Sequence, residues 1–121
     1  MKMINRRDEH TLGAVRGVLD ALVADRAKAT YGYLAEYVGV HPHSASLWGL
    51  IGKVLKEDAA SQKPLRSSLI VNVNTLTPGK QYFSWAREAG FSVEDEMAFW
   101  EEQLARLQLP PHAQVFRPHY G

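Results

Sequence analysis

Apolar residues in the first quarter of the chain recur every three or four positions, which is the period of a helix with one buried side. This pattern predicts a helix from about Asp8 to Lys28. Its apolar positions are Leu12, Val15, Leu19, Leu22 and Val23. Charged residues lie mainly on the other faces, so we expect this helix to pack against the rest of a globular domain.

Two shorter helices are predicted next, separated by a turn. Thr30 is a suitable N-cap and Gly39 a suitable left-handed C-cap for the first of them. The second is predicted over residues 43–56, because Pro42 favours a first helical turn and Ser44 is an alternative cap. Two helices joined by a short turn that contains Gly form a helix-turn-helix arrangement.

The pattern then changes to a short β-branched run at residues 69–73, which predicts a buried strand. Residues 74–80 are predicted to form a turn or a small β wing, because their Pro-Gly pair favours a type II turn. The aromatic residues of segment 82–85 follow either in a return strand or in a short helix that Gly90 stops.

A last amphipathic helix is predicted after a cap at residues 92–95, and two consecutive prolines end it. We therefore predict one domain, residues 1–109, of the α+β class and mostly helical. Its architecture is expected to be a winged helix-turn-helix with a short β wing and an additional C-terminal helix. The apolar tail, residues 110–121, is expected to dock on this domain or on a partner subunit.

Composition excludes several classes of function. The chain has 121 residues, a net charge of +1 and no Cys. A disulfide framework, a thiolate zinc site and a Cys nucleophile are therefore excluded. No apolar run is long enough to cross a bilayer, and the first residues lack the apolar core of a signal peptide. We expect a cytoplasmic protein that does not contact membranes.

Charge is unevenly distributed along the chain. Segment 61–91 carries four cationic residues and one acid, whereas segment 92–107 carries five acids and one cation. Proteins that bind nucleic acid concentrate basic residues on one face. Segment 61–91 supplies a modest basic patch of this kind, although a normal mixed surface explains the same charges.

Residues 29–35, Ala-Thr-Tyr-Gly-Tyr-Leu-Ala, resemble the Thr-Tyr-Gly-x-Leu-Ala signature of the O6-alkylguanine DNA alkyltransferases and alkyltransferase-like proteins. In that family the signature opens the DNA-binding half. Residues 52–55, Gly-Lys-Val-Leu, correspond to a Gly-Arg-Ala-Leu-like segment of its recognition helix. The resemblance covers residues 29–73 and implies a winged-helix DNA-binding fold.

The resemblance does not extend to the chemistry of that family. The alkyl-accepting Cys lies in a Pro-Cys-His-Arg segment, whereas the matching residues 69–73 are Leu-Ile-Val-Asn-Val. Gly49 occupies the position of the Arg that fills the space of a flipped-out base. Segment 78–83, a Pro-Gly turn followed by an aromatic pair, adds a looser resemblance to small winged-helix proteins of phages and mobile elements.

Candidate catalytic and metal sites are weak in this sequence. His41 and His43 have no evident third metal ligand nearby. The acids of the last helix fit a solvated face, and the Ser67-Ser68 pair lacks a Gly-x-Ser-x-Gly elbow. We therefore expect a protein that is not an enzyme and that holds no metal or cofactor.

The third helix decides the nucleic-acid question. Recognition helices present Arg, Lys, Asn or Gln near their N-terminal end, whereas this one presents small polar residues and, further along, Lys. We therefore expect binding of nucleic acid, DNA included, with low sequence specificity through helix 43–56 and the wing 74–80. The candidate contact residues are His43, Ser44, Ser46, Lys53, Arg66 and Lys80.

An alternative is a protein-interaction or homodimerising module on the same scaffold, with no nucleic-acid binding. The nearly neutral net charge, the Gly at position 49 and the apolar character of both the third helix and the tail favour this alternative.

Overall fold

The computed structural model describes residues 6–110 and 112–119. In this part of the chain the helices are α1 (Arg6–Asp25), α2 (Tyr31–Val38), α3 (Ala45–Ala60), α4 (Lys80–Glu88) and α5 (Glu96–Arg106). The strands are β1 (Lys28–Thr30), β2 (Ile70–Val71) and β3 (Val115–Phe116), and a 3₁₀ turn (Arg66–Leu69) precedes β2. The predicted α+β class with mostly helical content is confirmed.

The three strands form a small parallel sheet in the order β2-β1-β3. Ala29 pairs with Ile70 on one side and with Phe116 on the other. Parallel neighbours need a crossover connection, and helices α2 and α3 supply it between β1 and β2. Thr30 and Val71 are paired partners at the carboxyl ends of their strands, so these two ends open at the same edge of the sheet.

The hydrophobic core lies between α1, α3 and the sheet. Its fully buried side chains include Leu19 of α1, Leu55 of α3 and Val71 of β2. At the surface of this layer the guanidinium of Arg16 donates to the carboxylate of Glu57, with 3.0 Å between Nε and Oε1. The ion pair therefore joins the two longest helices above the core that they share.

All five helices of the described residues end in the same way, on a residue with positive φ. Its N–H bonds to the carbonyl three residues back, and the next N–H bonds to the carbonyl five residues back. This is the Schellman motif, which satisfies terminal carbonyls through the backbone alone. The left-handed residues are Arg26, Gly39, Gln62, Gly90 and Gln108. Gly39 and Gly90 confirm the predicted stops, whereas the sequence gives no sign of the other three.

Gln62→Gly is expected to stabilise the protein by about 0.5 to 1 kcal/mol. Gln62 has φ of 58°, and a side chain in this region costs roughly 1–2 kcal/mol, which exceeds the entropy that Gly adds to the unfolded chain. Urea unfolding of the two proteins measures the difference. Gln62→Ala is the control, because Ala keeps the Cβ that causes the strain. An equal gain for Ala and Gly contradicts this account.

The predicted helix caps are confirmed at Thr30 and within the segment 92–95. The Thr30 hydroxyl accepts from the N–H of Tyr33 at 3.2 Å, and the Asp95 carboxylate accepts from the N–H of Ala98 at 3.0 Å. Helix α3 differs from its predicted span of 43–56, since it begins at Ala45 and continues to Ala60. The residues before it form a turn instead, closed by a 2.9 Å bond from the N–H of Ser44 to the carbonyl of His41.

The predicted β wing at residues 74–80 does not form. Segment 72–79 closes on itself, because the N–H of Asn72 bonds to the carbonyl of Thr77 while the carbonyl of Asn72 accepts from Leu76. Its backbone is thus partly satisfied without a neighbouring strand. Gly79 has φ of −73° and serves as the N-cap of α4, so the predicted type II Pro-Gly turn is also wrong.

The aromatic segment 82–85 lies in α4, so of the two predicted alternatives the short helix is the one observed. The predicted strand at 69–73 shortens to Ile70–Val71, since Leu69 belongs to the 3₁₀ turn and Asn72 and Val73 are exposed. Tyr82, Phe83, Trp85 and Ala86 are buried, a spacing that suits a helix and not an alternating strand.

The C-terminal segment lies against the domain of its own chain. Strand β3 pairs with β1, and the ring of Phe116 stacks on Tyr33 with 5.4 Å between centroids. Beyond the strand, the backbone N–H and the ring Nδ1 of His119 both lie within hydrogen-bond distance of the Glu36 carboxylate. This contact lowers the pKa of Glu36 through the hydrogen bond from the His119 side chain.

Candidate nucleic-acid interface

A cavity of about 310 Å³ opens at the carboxyl ends of β1 and β2. The first turn of α2, the N-terminal half of α3 and the start of α4 surround it, and segment 71–73 forms its floor. The crevice outside the carboxyl ends of parallel strands is a common ligand site in α/β sheets. The order of the strands places a concave surface at this edge, next to the helix that the sequence singled out.

Four aromatic rings line the cavity, from three different helices: Tyr31, Trp48, Tyr82 and Trp85. Tyr31 and Trp48 are stacked, with centroids 4.3 Å apart and planes 16° from parallel. Trp85 lies 6.2 Å from Trp48, centroid to centroid. Trp48 retains 37% of its surface in solvent, which is high for a ring of this size and leaves one aromatic wall accessible.

The hydroxyl groups of the two tyrosines hold this wall in place. The Tyr31 hydroxyl donates to the carbonyl of Ser44 at 3.2 Å, which ties α2 to the turn before α3. Burial raises the pKa of Tyr31 to about 12, so this donor keeps its proton at neutral pH. The hydroxyl groups of Tyr82 and Ser68 form a hydrogen bond, and burial raises the pKa of Tyr82 as well.

Helix α3 fits against the cavity because it has Gly at position 52. A Cβ placed there would lie 2.6 Å from Cε2 of Trp85 and 2.8 Å from its Nε1. Such distances are far inside normal contact, so the indole ring occupies the space that any side chain would need. Gly49, one turn earlier, has open space around it.

The polar rim of the cavity lies where α3 and α4 begin. Lys80 and Gln81 form a second concavity together with Trp48, Ala45 and Gly79. Lys80 is exposed, and no carboxylate within the described residues pairs with it. A cation thus lies next to the accessible aromatic wall.

Of the six residues predicted to contact nucleic acid, His43 lines the cavity and Lys80 lies on its rim. Ser44 is the N-cap residue of α3 and Ser46 lies in its first turn, and neither lines the cavity or its rim. Ser44 supplies no side-chain cap to α3. Lys53 is exposed two turns further along α3, where its charge acts on Glu57.

Arg66 does not join this group. Its guanidinium bonds to the buried carboxylate of Asp58, with 2.8 Å from Nη2 to Oδ1, and to Asp20, with 2.7 Å from Nη1 to Oδ1. The hydrogen bonds to Asp58 raise the pKa of Arg66 further above its usual range. Arg66 thus serves the folded core at the far end of α3, where the sequence had suggested a phosphate contact.

Sequence reasoning missed the cavity itself. A Trp in an apolar helix is typical of a core position, and Trp85 is indeed only 8% exposed. A side chain that is buried on one face and lines a cavity on the other has the same sequence signal as a core residue. The exposure of Trp48 follows from its place opposite the short loop 72–79, which no periodicity predicts.

The rings of His41 and His43 lie 5.4 Å apart, but the described residues hold no group of three or more potential metal ligands. Within the same residues, every helix is too short or too polar to span a bilayer.

No protein-family model, no curated protein and no solved structure matches this chain.

Proposed function

We propose that this protein binds nucleic acid with low sequence specificity and without catalysis, through the start of α3, the loop 72–79 and the start of α4. The observation that carries the proposal is the accessible stacked pair Tyr31–Trp48 next to the unpaired Lys80. Aromatic rings stack on bases of every kind, while Lys contacts phosphates. In this proposal α2 and α3 act as a helix-turn-helix pair, and the loop 72–79 stands where a β wing was predicted.

Low specificity follows from the side chains that are present at the start of α3. Ser44 and Ser46 hydrogen-bond to base edges or phosphates without much selectivity, and Gly49 offers no side chain at all. The open aromatic wall favours unpaired bases, because a ring in a duplex is already stacked on its neighbours. Single strands are therefore the preferred ligand in this proposal.

The experiment is a fluorescence-anisotropy titration with a labelled single-stranded oligonucleotide and its duplex at low salt. With a net charge of +1, we expect weak binding, with Kd on the order of 10⁻⁵ M. Two phosphate contacts predict a slope of about −1.4 in log K against log salt for the single strand. Trp48→Ala is expected to weaken binding about tenfold, because a stacked base contributes roughly 1–3 kcal/mol.

Matched variants separate the interface from general charge. The double variant Lys53→Gln with Lys80→Gln should abolish measurable binding of the oligonucleotide. The double variant Arg7→Gln with Lys56→Gln changes the net charge equally and should leave this binding intact, since Lys56 is already paired with Glu88. Tyr37→Ala removes a ring that is 63% exposed and serves as the control for Trp48→Ala. If the wild type does not bind the oligonucleotide, or if all variants bind it with equal affinity, the proposal is rejected.

A protein-interaction or homodimerising module remains the second candidate, and the exposure of Val73 (53%) beside Trp48 favours it. In that case the apolar cavity accepts a side chain from a partner or a second copy. Light scattering then shows a dimer that Trp48→Ala dissociates, and the oligonucleotide titration shows no binding.

A further inference from the structure

A third concavity, of about 670 Å³, lies near the end of α3 that is distant from the aromatic cavity. It is bounded by the ends of α1, α3 and α5 and by the 3₁₀ turn. Along α3, Asp58 of this concavity lies ten residues, about 15 Å, from Trp48 of the aromatic cavity, and the consecutive residues Arg66 and Ser67 line one concavity each. We call this concavity the basic groove, after the four cationic side chains that line it: Arg26, Lys63, Arg66 and Arg106.

The two carboxylates of the basic groove are already engaged. Asp58 and Asp20 both accept hydrogen bonds from the guanidinium of Arg66. Within the described residues, none of the other three cations has a carboxylate within 4.0 Å, and Arg26 donates only to the amide oxygen of Gln108 at 3.2 Å. Four cations and two carboxylates line the groove, so its net charge is +2, and this excess of like charge opposes folding through mutual repulsion.

In the part of the chain that the structure describes, the carbonyl groups at the helix ends are not hydrogen-bonded to these cationic side chains. Side chains of Arg and Lys often hydrogen-bond to the last carbonyls of a helix, which is the simplest explanation for their position. Here the ends of α1, α3 and α5 are closed by Schellman bonds from their own backbone, such as the N–H of Lys63 to the carbonyl of Asp58 at 2.9 Å. The side chains therefore remain available to a ligand in the basic groove.

We propose that the basic groove binds an oxyanion of the phosphate class through Arg26, Lys63 and Arg106. Arg66 forms a rigid base for the site, because Asp58 and Asp20 fix its guanidinium from two sides. Guanidinium and ammonium groups suit phosphate oxygens as charge-assisted donors. This site shares no residue with the aromatic cavity or its rim, and its phosphate comes either from a small phosphorylated compound or from a nucleic-acid backbone.

The test is the thermal unfolding midpoint of the full chain in inorganic pyrophosphate and in sodium chloride of equal ionic strength. We expect pyrophosphate at about ten times its Kd to raise Tm by about 4 °C, since binding to the folded state alone stabilises it. Arg26→Gln, Lys63→Gln and Arg106→Gln combined should remove this shift. The combination Arg7→Gln, Lys56→Gln and Arg117→Gln removes three exposed cations outside both proposed sites, changes the charge equally and should keep the shift.

General effects of multivalent salts act on both triple variants alike. A wild-type shift that is absent, or that is equal in the groove triple variant, overturns the proposal. Calorimetric titration of pyrophosphate into Lys63→Gln repeats the test in a protein with one exposed substitution, and unchanged affinity there also counts against the site.

Oligonucleotide titration of the groove triple variant distinguishes the two sources of phosphate. Weaker binding assigns the basic groove to a nucleic-acid backbone, and unchanged binding assigns it to a small phosphorylated compound. If the wild type retains no oligonucleotide but still shows the pyrophosphate shift, the proposed function fails while the basic groove stands.

Discussion

Asp58→Ala is expected to lower the free energy of unfolding by about 3 to 4 kcal/mol, the largest effect of any single substitution discussed for this protein. The Asp58 side chain is only 2% exposed, and its carboxylate accepts from both the side chain and the backbone N–H of Arg66. Removal of one partner from a buried pair leaves the other charge uncompensated, at a cost of roughly 3–5 kcal/mol. Asp20 still contacts Arg66 and keeps the loss at the lower end of that range.

Asp58→Asn separates charge from shape at the same position. One amide oxygen still accepts a hydrogen bond, so the loss should be smaller, about 2 kcal/mol. Urea unfolding measures all three proteins, and Glu88→Gln serves as the control. Glu88 pairs with Lys56 at the surface, where both side chains are about half exposed, and such a pair contributes less than about 1 kcal/mol. If Asp58→Ala and Glu88→Gln cost the same, the Asp58–Arg66 pair has no special role in stability.

Gly52→Ala is expected to destabilise the protein by about 2 to 3 kcal/mol, although Ala favours helices. The added Cβ would lie 2.6 Å from the Trp85 ring, and overpacking of a well-filled core typically costs 1–3 kcal/mol. The indole must move towards the cavity that it lines, so the aromatic wall changes together with stability. We therefore expect an altered near-ultraviolet circular dichroism spectrum as well as a lower unfolding midpoint.

Gly49→Ala is the matched control, since the same change occurs one turn earlier in the same helix. Open space surrounds Gly49, so only the helix propensity of Ala acts, and we expect a gain of roughly 0.5–1 kcal/mol. If Gly52→Ala lowers the free energy of unfolding and Gly49→Ala raises it, the difference establishes that Trp85 packs directly on α3. A stabilising Gly52→Ala would show that the ring lies elsewhere.

Much of the helical architecture was predictable because local rules decide it. The apolar period of α1, the hydroxyl of Thr30 and the left-handed glycines at 39 and 90 each act over one or two turns of the chain. Segment 72–79 shows where such rules fail. Its Pro-Gly pair is typical both of a hairpin turn and of a helix start. A helix forms here because the aromatic residues that follow are buried in the core at helical spacing.

The candidate site divides in the same way. The small polar residues at the start of α3 and the cation at Lys80 are visible in the sequence. The cavity between them depends on the pairing of Thr30 with Val71, residues 41 positions apart. Arg66 was predicted to contact phosphate because it is a cation in a basic segment of the sequence. In the fold its guanidinium is paired with Asp58 and Asp20, both of which lie outside that segment along the chain.

The sequence by itself determined the first helix, the caps at Thr30 and Asp95, the stops at Gly39 and Gly90, the α+β class and the exclusion of cysteine chemistry, since these depend on residue type and on neighbours within a few positions. The tertiary structure alone decided the parallel order of the sheet, the helical conformation of segment 82–85, the aromatic wall of the cavity and the basic groove. Each of these joins elements that are distant along the chain, and their contacts depend on packing and charge pairing that no local pattern encodes.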